Sequence, residues 1–149
     1  MGLAHKFYLV PDTTELTDFY IDKKNIIDSV VINDDIILYI LDSLYWIPSK
    51  NPSSRNQIKG KGLNYYGLTL FDKQSSEALI GVFSAWKSLF NNAPEVIELT
   101  GNFVFSDGEE GEYEKIMVNR GELIMQLDKI ISMSRLLADG NYYLYHCGI

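Results

Sequence analysis

Residues 75–90 read SSEALIGVFSAWKSLF, and residues 96–118 read VIELTGNFVFSDGEEGEYEKIMV. In the first run Leu79, Ile80, Phe83, Trp86, Leu89 and Phe90 recur at the three- and four-residue steps of one helix face. Ser75 or Ser76 stands where an N-cap is wanted. Asn91-Asn92 and then Pro94 end the helix, because asparagine tolerates left-handed geometry and proline cannot continue the ladder. In the second run Val96–Phe105 reads as a strand with a kink or bulge at Gly101, Asp107-Gly108-Glu109-Glu110-Gly111 as a turn, and Tyr113–Val118 as the returning strand. Together they predict a helix followed by a hairpin.

Working outward, Asn119-Arg120-Gly121 leads into a helix whose apolar face is Leu123, Ile124, Leu127, Ile130, Ile131, Ser134 and Leu137, with Gly140 as a left-handed cap. Tyr142–His146 follows as a strand. Upstream, Leu63–Phe71 is apolar on both parities, as in a central strand covered on two sides. The order from Leu63 is therefore strand, helix, strand, strand, helix, strand. It predicts an α+β fold, a mostly antiparallel sheet with helices packed on it, in a single two-layer domain over residues 1–149. Nearer the N-terminus, Lys6–Val10 reads as a short strand ending at Pro11. Thr14, Glu15 and Leu16 could open a short helix, and Val30–Ile32 reads as a strand. Ile36, Ile37, Ile40, Leu41, Leu44 and Tyr45 form one stripe of a helix capped by Asn33 or Asp34 and ended by Pro48. Residues 50–62, KNPSSRNQIKGKG, have almost no apolar content and read as a flexible surface loop.

The chain has 149 residues, 46% hydrophobic and 13% aromatic, enough to bury a core without disulfides. Its net charge of −7 disfavours nucleic acid and favours a basic partner. The single cysteine, Cys147, allows no internal disulfide and suits a reducing, cytoplasmic setting. The N-terminal residues lack the pattern of a signal peptide. The most apolar stretch, Ile36–Ile47, is interrupted by Asp42 and far too short to cross a bilayer, so no membrane role is expected.

Catalytic constellations are hard to assemble. His146 and Cys147 are neighbours on a strand and point to opposite faces, which is against a thiol dyad, although His5 could serve from a distance. Two histidines and one cysteine lack zinc spacing, so neither metal nor cofactor is expected. Lys50, Arg55, Lys59 and Lys61 around Gly60 and Gly62 could hold a phosphate but lack a phosphate-loop pattern. Asp107, Glu109, Glu110, Glu112 and Glu114 put five carboxylates in eight residues without matching a calcium loop. With Tyr113 and the neighbouring Tyr65 and Tyr66 they form the candidate contact surface for a basic protein, since tyrosine offers a rigid apolar body with a polar tip. Two other readings are a pocket between sheet and helices admitting Tyr66, Trp86 and His146, and self-pairing through a tyrosine-rich strand. A monomer or weak homodimer is expected.

In type, a small acidic α+β chain with tyrosine-rich strands and no catalytic set resembles the bacterial immunity proteins of toxin and immunity pairs. The segments Tyr65-Tyr66-Gly67-Leu68-Thr69-Leu70, the helix with Phe83, Trp86, Leu89 and Phe90, Ala93-Pro94, Leu99-Thr100-Gly101 and Tyr143–Ile149 are similar to those of small bacterial proteins. The resemblance carries over no functional residue. It implies stoichiometric inhibition, in which the protein occludes a toxin's active site or an adjacent surface and performs no chemistry.

Overall fold

The computed structural model describes residues 2–14, 23–52, 59–105, 107, 108 and 110–149, residue 59 by its backbone alone. In chain order the elements are β1 (Ala4–Pro11), β2 (Asp28–Asn33), α1 (Asp34–Leu44), β3 (Pro48–Lys50), β4 (Lys59–Lys61), β5 (Leu68–Phe71), α2 (Ser76–Phe90), β6 (Val96–Val104), β7 (Glu112–Asn119), α3 (Arg120–Leu136) and β8 (Tyr142–Cys147). Six strands form one sheet in the order β2-β1-β8-β5-β3-β4, every neighbouring pair antiparallel, while β6 and β7 form a separate hairpin. The protein is an α+β domain of helices on an antiparallel sheet.

Strand alternation builds the core. Phe7 and Leu9 of β1, Ile32 of β2, Phe71 of β5 and Leu144 of β8 meet Ile36, Ile40 and Leu44 of α1, Leu79 and Phe83 of α2, and Leu127 and Ile130 of α3. On the opposite sheet face Val10, Leu70 and Tyr145 are buried as well. The base of the hairpin joins the same core through Ile97 and Leu99, with Ile116 and Val118 packed beside them. That base is pinned where α3 begins: the Arg120 guanidinium donates to the Ala93 carbonyl at 2.6 Å, and its backbone N–H donates to Glu95 at 2.9 Å.

The helix and hairpin expected over residues 75–118 form as α2, β6 and β7, with the register shift lying between Thr100 and Phe103. Asn33 caps α1 by accepting from the Asp35 N–H at 2.8 Å, Asn119 caps α3, and Gly140 is left-handed at φ 79°. Other expectations need correction. Only Leu68–Phe71 of the strand expected over Leu63–Phe71 is extended; Asn64–Gly67 closes a turn, its carbonyl at Asn64 accepting from Gly67 at 3.1 Å. The run 50–62 begins and ends in paired strand, Pro48 opposite Lys61 and Lys50 opposite Lys59, since backbone pairing needs no apolar side chain; residues 53–58 lie outside the described residues. Asn91 ends α2 in right-handed geometry, at φ −60°, not left-handed. Ser75 makes no side-chain cap for α2 itself; its hydroxyl donates to the Pro48 carbonyl and accepts the Asp72 N–H, one half of a capping box with Asp72 on the short turn that precedes the helix. The helix expected from Thr14 runs into residues 15–22, which lie outside the described residues, and Thr14 itself is not helical.

Candidate functional site: an acidic, aromatic hairpin beside a histidine network

Beyond the bulge the hairpin leaves the core, and its side chains divide between two faces. Phe103 lies opposite Tyr113 in the ladder. Its ring meets Tyr113 at 5.0 Å and Phe105 at 5.2 Å, both edge-on. These rings stay open to solvent, with Phe105 76% and Tyr113 61% exposed. Gly111 makes the cluster possible, because a Cβ there would fall 2.4 Å from Phe103 and 2.9 Å from Phe105. Alternation puts Lys115 and Met117 on the same face as Tyr113, and Lys115 is paired with Glu98 at 3.4 Å.

Glu112 and Glu114 occupy the other parity, shared with Ile116 and Val118. The grouping of carboxylates with Tyr113 expected from sequence therefore separates across the two sides of one strand. Asp107 and Glu110 are exposed in the connecting turn. Glu109 lies outside the described residues. On the Glu114 side a cleft of about 300 Å³ lies between the hairpin and α1, lined by Asp35, Leu38 and Tyr39 on one side and by Thr100, Gly101, Asn102, Glu114 and Ile116 on the other.

Tyr65 and Tyr66 are not part of the hairpin. They sit in the turn before β5, ring against ring at 4.8 Å, with Tyr66 exposed. Tyr65 reaches into a polar network that spacing alone could not reveal. Its hydroxyl donates to Asp34 Oδ1, which also binds His5 Nε2 at 2.9 Å; His5 Nδ1 meets His146 Nε2 at 2.9 Å; and His146 Nδ1 faces the Thr69 hydroxyl at 3.4 Å. Thr69 in turn accepts the Asn64 N–H at 2.7 Å. Both imidazoles are fully buried. Burial first, and then the neighbouring His5, push the His146 pKa down to about 3. Burial, followed by the hydrogen bond to Asp34 and its charge, raises that of Tyr65. A base so depressed is poorly matched to proton abstraction at neutral pH, whereas a satisfied polar chain joining β1, α1, β5 and β8 fixes how they meet.

The remaining candidates fall apart spatially. Cys147 points away from His146 into the surroundings of Lys6 and Tyr8, where burial raises its pKa and Lys6 opposes the shift. Trp86 donates its indole N–H to Ser43 at 2.8 Å, Tyr66 is largely exposed, and His146 is fully buried. Among the loop cations, Lys50 is bonded to Asp72 at 2.5 Å. It lines a cavity of about 320 Å³ with Ser49, Lys61, Asn64 and Thr69. No group of three or more metal-ligating side chains occurs among the described residues, and none of their helices is long and apolar enough to cross a membrane. The sequence reading missed Phe103 and Phe105, whose alternation beside an acidic turn was the available signal, and Asp35, which reaches the hairpin only through the packing of α1. Compared with protein-family models, curated proteins and solved structures, the chain matches none.

Proposed function

We propose that this protein is a cytoplasmic binding module for a basic protein, acting as an immunity protein does by occupying a toxin stoichiometrically. The observation that carries the reading is the hairpin tip: three solvent-exposed rings, Phe105 and Tyr113 each packed edge-on against Phe103, beside a turn and strand bearing Asp107, Glu110, Glu112 and Glu114. Aromatic anchors within a charged rim are the usual makeup of an interface centre, and the carboxylates steer a cationic surface toward them. The hairpin base is rooted in the core, so the tip is presented on a fixed support. In this reading the histidine network holds the scaffold and performs no chemistry.

The test is a photo-crosslinking amino acid placed at Phe105, expressed in the organism of origin, with adducts identified by mass spectrometry. One dominant adduct to a basic protein is expected, lost with Glu112→Lys and Glu114→Lys and weakened by added salt. An adduct pattern no different from that of a crosslinker at exposed Glu77, or an acidic dominant partner, would overturn the reading.

A further inference from the structure

The cleft between α1 and the hairpin mixes the apolar surfaces of Leu38, Tyr39 and Ile116 with Thr100, Asn102 and the bare backbone of Gly101, and carries one carboxylate from each side, Asp35 and Glu114. Gly101 keeps it open: a Cβ there would lie 3.1 Å from Glu114 Cβ and 3.2 Å from Ile116 Cδ1. Its helical wall is braced, since the Tyr39 ring meets Trp86 at 6.0 Å and Phe90 at 6.5 Å, and Trp86 is tied to Ser43. Neither Asp35 nor Glu114 has an ion-pair partner among the described residues, whereas Glu98 on the outer face is paired with Lys115.

We infer that this groove receives an arginine side chain of the basic partner, its aliphatic stem on Leu38 and Ile116, its guanidinium plane on Tyr39, and its N–H groups donating to Asp35 and Glu114. This rests on the binding reading above. Arginine fits better than lysine because its planar head both stacks on a ring and offers separate donors to two carboxylates, and it is more weakly hydrated. The groove would thus supply a second anchor on the hairpin face opposite the ring cluster, letting the partner grip both sides of one strand.

The test is an NMR titration of the isotopically labelled full chain with acetyl-Gly-Arg-Gly-amide, and with the same peptide carrying citrulline, which keeps the shape and removes the charge. Saturable shifts centred on Asp35, Tyr39, Gly101 and Glu114 are expected, weakened about tenfold by citrulline and abolished in the Asp35→Asn, Glu114→Gln double variant, whose spectrum otherwise stays folded. Equal binding of the citrulline peptide, or shifts that survive in the double variant, would overturn the assignment. Shifts gathered at Phe103, Phe105 and Tyr113 would remove the groove while leaving the ring cluster as the contact. If neither site responds, the arginine groove falls, and crosslinking at Phe105 decides separately whether the hairpin binds a basic protein.

Discussion

At the scale of single residues, the buried pair His5 and His146 sets the most specific expectation. Their ring nitrogens lie 2.9 Å apart, a distance at which one proton makes a hydrogen bond and two make a clash of like donors. Burial first, and then this contact with His5, keep His146 unprotonated down to about pH 3, while in the unfolded chain it titrates at its ordinary 6.5. Between those values the unfolded state binds the proton that the folded state refuses. The contribution of His146 is complete well above pH 6.5 and declines as the pH falls toward 3, with a slope approaching about 1.4 kcal/mol per pH unit. Urea unfolding from pH 7.5 to 4 should show this loss, and the His5→Phe, His146→Leu double variant should show a flatter dependence; an identical slope in both proteins would refute the assignment. Little of this was legible beforehand. His5 and His146 are 141 residues apart in the chain, and only the folded register, with Phe7 opposite His146, brings them together. The carboxylates of residues 107–114 were plain in the sequence because they are contiguous. What contiguity hid was the alternation that sends Tyr113 and Glu114 to opposite faces.

Among the elements, the hairpin has two regions with different work, and substitutions should separate them. Leu99 lies in the core cluster near the base, so Leu99→Ala should destabilise by about 2–4 kcal/mol through lost burial and a residual cavity. Phe105 is largely in water, so Phe105→Ala should change global stability by less than about 0.5 kcal/mol while impairing partner capture. Gly111→Val should behave like a tip variant, displacing Phe103 and Phe105, visible as altered aromatic resonances with the unfolding midpoint nearly kept. Comparable losses of stability from Leu99 and Phe105 would mean that the rings are part of the fold and not a surface held for a partner. The same hairpin shows why some elements were readable. β6, β7, α2 and α3 are long, periodic and locally closed, and their caps Asn119 and Gly140 stand in the sequence. β3 and β4 hold three residues each, in a polar run, and owe their conformation to backbone pairing. β5 was overextended because Tyr65, read as strand, lies in the turn at Asn64–Gly67, while Leu63 is buried just before that turn without being part of a strand.

For the whole molecule, the decisive connection is the one between the ends of the chain. β8 lies inside the six-stranded sheet, bonded to β1 on one side and β5 on the other, so removing it divides β2-β1 from β5-β3-β4. Deletion of residues 142–149 should therefore abolish cooperative unfolding and amide dispersion, more than the loss of a terminal strand at a sheet edge would. The antiparallel pairing also places Lys6 opposite Cys147, so the start of β1 lies beside the end of β8. A circular permutant that begins at Tyr142, runs through Ile149 and a short glycine-serine linker into Gly2, and ends at Asn141 turns this longest-range pairing into a local hairpin. Closing a loop of that length costs roughly 4 kcal/mol of chain entropy, most of which a short linker removes. The permutant should recover the sheet that the deletion loses and refold faster in stopped-flow measurements wherever β1–β8 pairing belongs to the rate-limiting structure. Recovery of the native amide spectrum without a change in rate would place that pairing after the barrier. A permutant that stays unfolded would show that the covalent link from α3 into β8 is itself required, and that the sheet order alone does not account for the fold.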